Sequence, residues 1–259
     1  MTTHPIHYGR LNPPERTLLS PDLSNASPRA RQGLIATLEG ATDPSFLKIL
    51  DETLTLLRNL LGTKSTDTFI IPGSEETALE AGLFNVLENG DTAIVGVAGF
   101  FGDRMAETAE RAGATVIRII AESGESVDHE TIVTAINQHK PKIVAVLHGD
   151  GSTGVEQPLD GLAKAVHAQD ALLLVDARWT LGALDLKVDA MGIDICVAGS
   201  QKAMSAYPGI GLVTFSPGAS RVYEMREEPV VSFSLDLQHL RTYETDDRAV
   251  QTVPAPIVY

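Results

Sequence analysis

Cysteine is almost missing: Cys196 is the one cysteine in 259 residues, so no disulfide can form within the chain. Positive charge is scarce too. Lysine and arginine number 20 against 34 aspartates and glutamates, a formal net charge of −14. Nucleic acid and anionic membranes favour basic patches, so neither is expected as the main partner, although a local cationic pocket remains open. No apolar run reaches the roughly 18 residues of a membrane helix, and "MTTHPIHYGRLNPPERTLL" lacks the basic-then-apolar layout of a secretory leader. Internal repeats, low-complexity tracts and zinc-ligand spacings are missing as well. The expectation is a soluble, cytoplasmic protein without a metal.

What the chain does have is apolar material in a regular rhythm: 43% hydrophobic residues, punctuated by 22 glycines and 14 prolines. Residues 1–30 hold five of those prolines and little periodicity, which reads as an extended N-terminal arm. From there "RQGLIATLEG" and "PSFLKILDETLTLLRNLLG" carry apolar residues at helical spacing, followed by the short strand candidate "DTFIIPG". "SEETALEAGLFNVLE" reads as a helix, then strand and helix alternate through "TAIVGVA", "FGDRMAETAERAG", "TVIRII", "HETIVTAINQH", "KIVAVLHG" and "LDGLAKAVHAQD". Three more strand candidates close the series: "ALLLVDA", "IDICVAGS" and "GIGLVTFSP". Short β-rich runs alternating with helices predict an α/β three-layer sandwich, a mostly parallel buried sheet with helices on both faces. This large domain is expected over residues 31–235, with 236–259 as a connection toward a further element.

Ligands of open α/β sheets collect beyond the carboxyl ends of the strands, so the strand-end junctions are the places to look. In "IIPGSEETALEAG", Gly73 and Ser74 lie between a strand and a helix whose first N–H groups could hold a phosphate; an ordinary N-cap by Ser74 explains the same residues. Asp176 ends the apolar run "ALLLV", where a carboxylate needs a cation or several donors, or caps a helix. Lys202 follows "DICVA" and, if partly desolvated, is a usable nucleophile; a surface lysine in a loop is the plainer reading. In the loop "HGDGSTGVEQPLDG", His148 and Asp150 read as structural.

Together these stretches resemble the class V aminotransferases of pyridoxal-phosphate fold type I, especially the alanine/serine–glyoxylate branch. The resemblance rests on "GSEETALEAGLFNVLENGD", "GFFGDRMAETAERAGA", "HGDGSTGVEQPLDG", "SFSLDL" and above all "LLLVD", "GIDI" and "GSQKA" at their spacing. It implies pyridoxal 5′-phosphate as cofactor, with Lys202 forming the Schiff base and shuttling the substrate proton. Asp176 is implied to pair with the pyridinium nitrogen, Phe101 to stack on the ring, and Ser74, with Glu75 and Glu76 beside it, to meet the phosphate near Gln201. Ser152 is implied near the phenolic oxygen, Thr252 at the neighbouring subunit's cofactor, and the substrates are a small amino acid and a 2-oxo acid on a dimer.

The sequence also departs from the family. Glu75 and Glu76 stand where neutral residues or His follow the serine, Gly151 replaces a cofactor-bonding serine, and Arg178–Trp179 replace small residues after Asp176. The small C-terminal domain, which carries an arginine for the substrate carboxylate, is expected to be absent; Arg178 is the candidate substitute. Two consequences are expected alternatives: a split, heteromeric enzyme whose second chain supplies that domain, or a non-catalytic or regulatory subunit. A lyase or racemase on the same scaffold is a further alternative. Cys196, inside an apolar strand, does not suit a desulfurase.

Overall fold

The computed structural model describes residues 14–20, 22–242 and 255–259; Thr252 lies outside them. The chain order is α1 (Pro28–Leu34), α2 (Pro44–Leu61), β1 (Thr68–Gly73), α3 (Glu75–Phe84), β2 (Thr92–Val97), α4 (Phe100–Arg111), β3 (Thr115–Ile120) and α5 (His129–His139). It continues with β4 (Ile143–Leu147), the short hairpin β5 (Gly149–Asp150) and β6 (Val155–Glu156), α6 (Leu162–His167), β7 (Leu172–Asp176), α7 (Val188–Met191), β8 (Ile195–Gly199) and β9 (Gly209–Phe215). Helices α8 (Pro217–Glu224), α9 (Leu237–Thr242) and α10 (Ala255–Val258) follow.

Seven strands form one sheet in the order β1-β9-β8-β7-β4-β2-β3. Five of its strands, β8, β7, β4, β2 and β3, pair in parallel, while β9 runs antiparallel to both β8 and β1. The reversal has a simple cause: the link from Gly199 to Gly209 is shorter than the dozen or so residues a parallel crossover needs. That link carries Lys202.

Alternate residues of each strand face opposite ways and build two separate cores. Ile70, Ile94, Val144, Leu173, Cys196 and Leu212 pack with the apolar stripe Phe46, Leu50, Leu54, Leu57 and Leu61 of α2 and with α5 and α6. Phe69, Val95, Ala145, Leu174, Val197 and Val213 pack with α3 and α4. The three-layer architecture therefore follows from period-two strands between amphipathic helices.

The first helix differs from the sequence expectation over "RQGLIATLEG". It starts earlier, because Ser27 accepts the Ala30 N–H at 3.1 Å and Pro28 supplies a preset first turn. It also stops earlier, and Ile35 and Leu38 stay 85% and 72% exposed, so their apolar spacing has nothing to pack against. The segment before it is tied to the Lys202 link: Ser24 donates its N–H to the Gln201 carbonyl at 3.1 Å and its hydroxyl to the Lys202 carbonyl at 2.6 Å, and Ser27 N–H reaches the Ser205 carbonyl at 2.9 Å.

Helix α3 is seated directly on β9. A Cβ on Gly211 would run into the Ser74 carbonyl oxygen and lie 2.9 Å from Ala78 Cβ. Gly211→Val should therefore displace the N-terminus of α3 and cost about 1–3 kcal/mol. Urea unfolding would show it as a lowered midpoint with an unchanged slope; an unmoved midpoint would mean that α3 is not held by this contact.

Candidate active site

Strands β7 and β8 lie side by side and parallel, with Asp176 opposite Val197, so the chain leaves both at one edge of the sheet. Asp176 is the last residue of β7, and Lys202 lies three residues beyond the end of β8. β1 leads into α3 and β2 into α4, and both helices begin at the same edge, which brings Ser74, Glu75, Glu76 and Phe101 to it.

Asp176 is fully buried, and among the described residues Arg178 answers its charge. Arg178 donates Nε and Nη2 to Asp176 Oδ2 at 2.8 and 2.6 Å, and its backbone N–H to Oδ1 at 2.9 Å. Its remaining nitrogen, Nη1, lies 2.5 Å from Glu76 Oε1. Arg178 is itself 2% exposed. Its guanidinium carbon lies 5.4 Å from the Phe101 ring centroid and 5.5 Å from that of Trp179, and those two rings meet edge-on at 4.4 Å. Burial pushes the Asp176 carboxyl up, while the charge and hydrogen bonds of Arg178 pull it back.

Lys202 has its own partners. Its Nζ lies 3.3 Å from Glu75 Oε1, 3.3 Å from Asp22 Oδ1 and 4.3 Å from the centroid of the Trp179 ring. Glu75 also accepts from the Gln201 amide. Burial works against ionisation of Glu75, but hydrogen bonds from its own backbone N–H and Gln201, with the charges of Lys202 and Arg178, hold its carboxyl below the ordinary glutamate value. The result is two linked ion clusters, Asp176–Arg178–Glu76 and Glu75–Lys202–Asp22.

The remaining candidates divide. Ser74 is the N-cap of α3: its hydroxyl accepts the Glu76 N–H at 3.3 Å, and its own N–H meets Thr77 Oγ1 at 3.2 Å, a capping box. Ser152 donates to Asp150 Oδ1 at 2.5 Å and accepts the Phe100 N–H at 3.1 Å, so its hydroxyl is engaged at the start of α4. Gly151 borders the indole of Trp179, into which a Cβ there would run. The serine expected at this position and the tryptophan present three residues past Asp176 cannot both be accommodated. His148 pairs Nδ1 with Thr180 Oγ1 at 2.9 Å, and burial holds its pKa down against the pull of Glu156. Cys196 is buried in β8, where desolvation and the charge of Asp176 push its thiol up. Among the described residues, no group of three or more His, Cys, Asp or Glu could hold a metal ion, and no helix is long and apolar enough to cross a membrane.

Two features escaped sequence reasoning. Asp22 is far from Lys202 along the chain, and nothing local marks it. The Arg178–Asp176 contact had a signal: residues two apart in extended chain point to the same side, so an Asp-x-Arg at a strand end can close on itself.

For pyridoxal 5′-phosphate, the group implied by the resemblance, the residues fit in kind. A buried amine and a buried carboxylate stand at neighbouring strand ends, with the aromatic Phe101 nearby and a hydroxyl-capped helix N-terminus at Ser74. Gln201 Oε1 and Asp150 Oδ2 are buried oxygens without a hydrogen-bond partner, acceptors left over by the protein's own network. Arg178, now on Asp176, and Glu75, now on Lys202, are the side chains that stand between this arrangement and the group.

Comparison with known proteins agrees with this geometry. The family model for aminotransferase class-V matches residues 41–227. Alanine–glyoxylate aminotransferase of Rattus norvegicus is 39% identical over 231 residues, covering 89% of this chain and 56% of its own length. The (S)-ureidoglycine–glyoxylate transaminase of Bacillus subtilis is 33% identical, covering 91% and 61%. The crystal structure of alanine–glyoxylate aminotransferase from Nostoc sp. superposes with a TM-score of 0.95 at 35% identity, covering 98% of this chain and 68% of that one. The chain thus spans a little over half the length of the curated relatives it matches. It belongs to the class V aminotransferase family, whose fold is that of type I pyridoxal-phosphate enzymes and whose cofactor is pyridoxal 5′-phosphate.

Proposed function

We propose that this chain performs pyridoxal-phosphate-dependent amino-group transfer between a small amino acid and a 2-oxo acid. The observation that carries the reading is the pair Lys202 and Asp176, two buried charges at the carboxyl ends of adjacent parallel strands. The named relatives, alanine–glyoxylate and ureidoglycine–glyoxylate aminotransferases, support glyoxylate as the acceptor.

When bound, the cofactor supplies an electrophilic aldehyde and a ring that accepts an electron pair. Lys202 would provide the amine that holds that aldehyde, and its Nζ, once released by the incoming substrate amine, would move the proton on and off the substrate α-carbon. Asp176, the buried carboxylate at the end of β7, would hold the proton on the ring nitrogen once its Oδ2 is released by Arg178. Phe101 and Trp179 would exclude water from one side, and Ser74 with the first N–H groups of α3 would hold the phosphate. Glu75 sets the position of Lys202 through their 3.3 Å contact. Arg178, engaged by Asp176 and Glu76, is not placed to take a substrate carboxylate in this arrangement.

The same Arg178 contact and the paired carboxylates Glu75 and Glu76 favour a second reading, a non-catalytic subunit that keeps the fold. One experiment separates the two. The pure protein is mixed with pyridoxal phosphate, reduced with borohydride, digested and mapped by mass spectrometry. The enzyme reading expects the reduced cofactor on the peptide containing Lys202, and amino-group transfer from L-alanine to glyoxylate before reduction. An unlabelled Lys202 at saturating cofactor would leave the non-catalytic reading.

A further inference from the structure

The carboxylate that the cofactor ring needs is already taken by this chain's own arginine. Asp176 is 0% exposed, and both of its oxygens accept from Arg178, three hydrogen bonds between 2.6 and 2.9 Å. Oδ2 takes both guanidinium bonds and Oδ1 the Arg178 backbone N–H, so a donor from outside that seeks Oδ2 competes with the guanidinium. Arg178 in turn is roofed by Phe101 and Trp179, and the indole has room there because residue 151 is a glycine. These substitutions fit one another: the arginine neutralises the aspartate, the tryptophan covers the arginine, and the glycine seats the tryptophan.

The other end of the contact differs. Glu76, which accepts from Arg178 Nη1, has a side chain 35% exposed at the start of α3. Arginine has a long stem with several rotatable bonds, so the guanidinium can turn away from Asp176 toward solvent without parting from Glu76. Asp176 Oδ2 would then be freed while the Arg178–Glu76 pair persists and Oδ1 stays on the Arg178 backbone N–H.

We propose that Arg178 is a latch that competes with the cofactor for Asp176, so that the closed arrangement seen here and the loaded one exclude each other. Glu76 is the catch that receives Arg178 in the open position. This rests on the proposed pyridoxal-phosphate chemistry, and it makes cofactor affinity, rather than catalysis, the property Arg178 sets. A closed state holding about 90% or more of the population weakens apparent binding by about tenfold or more.

The test titrates the whole chain, as wild type, Arg178→Leu and Arg178→Lys, with pyridoxal phosphate and with pyridoxal, which lacks the phosphate, following absorbance and equilibrium dialysis. The latch expects Arg178→Leu to bind both ligands about tenfold or more tighter than wild type, with Arg178→Lys, a cation without the fork, in between. In the wild type, Arg178 should also become reactive toward phenylglyoxal when cofactor is added, as read by peptide mass spectrometry; this arm needs no variant to fold. Equal or weaker binding by the variants, or an Arg178 that stays unreactive with cofactor bound, overturns the latch and leaves the functional reading standing. Failure of all three proteins to bind either ligand overturns the functional reading, and the latch with it.

Discussion

Arg178→Leu is expected to lower the stability of the folded chain by about 3–5 kcal/mol at neutral pH, the usual result of removing one partner of a buried ion pair. Few substitutions here should cost more. The leucine fits a pocket walled by Phe101 and Trp179, so the loss is electrostatic: Asp176 stays fully buried with the Arg178 backbone N–H as its remaining donor among the contacts described. The pH dependence identifies the cause. Burial already raises the Asp176 carboxyl and Arg178 opposes that rise, so removing the guanidinium raises it further. A raised folded-state pKa means that the folded variant takes up a proton where the wild type does not. The deficit is therefore complete above the variant's carboxyl pKa and shrinks as pH falls toward that of the wild type. Denaturant titrations of both proteins across that range measure it. Adding Asp176→Asn to Arg178→Leu should recover most of the loss, because the amide carries no charge to desolvate. A deficit that is flat with pH and unaffected by Asp176→Asn would assign Arg178 a packing role only.

Lys202→Ala is expected to have the largest effect on activity, lowering amino-group transfer by about 10²–10⁴-fold as the group that moves the α-proton is lost. The same substitution should abolish borohydride labelling of the corresponding peptide. Its effect on the fold is local: Glu75 keeps the Gln201 amide but loses the cation 3.3 Å away, and Asp22 loses its contact with the link after β8. Exogenous small amines supplied to Lys202→Ala should restore part of the rate if the loss is one of proton transfer. A variant with near wild-type turnover would remove Lys202 from the chemistry altogether.

Much of the fold was legible because the strands are short, apolar and buried on both faces, while the helices carry stripes such as Phe46, Leu50, Leu54, Leu57 and Leu61. The direction of β9 was not, since an apolar run looks the same read either way and only the brevity of the link around Lys202 decides it. Apolar spacing misplaced the end of α1, where Ile35 and Leu38 have no core to enter. In the site, Asp176 and Lys202 stood out because charges at the ends of apolar runs demand an explanation. The partners they found were less visible. Asp22 reaches Lys202 from 180 positions away in sequence, and the exchange of volume between Gly151 and Trp179 exists only in three dimensions.

Trp179 is the sole tryptophan of the chain, and its ring lies 4.3 Å from Lys202 Nζ and 4.4 Å from the Phe101 ring. Light emitted by this protein on excitation in the indole band therefore comes from one place, the floor of the candidate active site. The chain carries its own optical reporter, with no second indole elsewhere to dilute the signal. Its emission will follow local opening at Arg178 as readily as global unfolding, so the two can be told apart by comparing fluorescence with circular dichroism on the same sample.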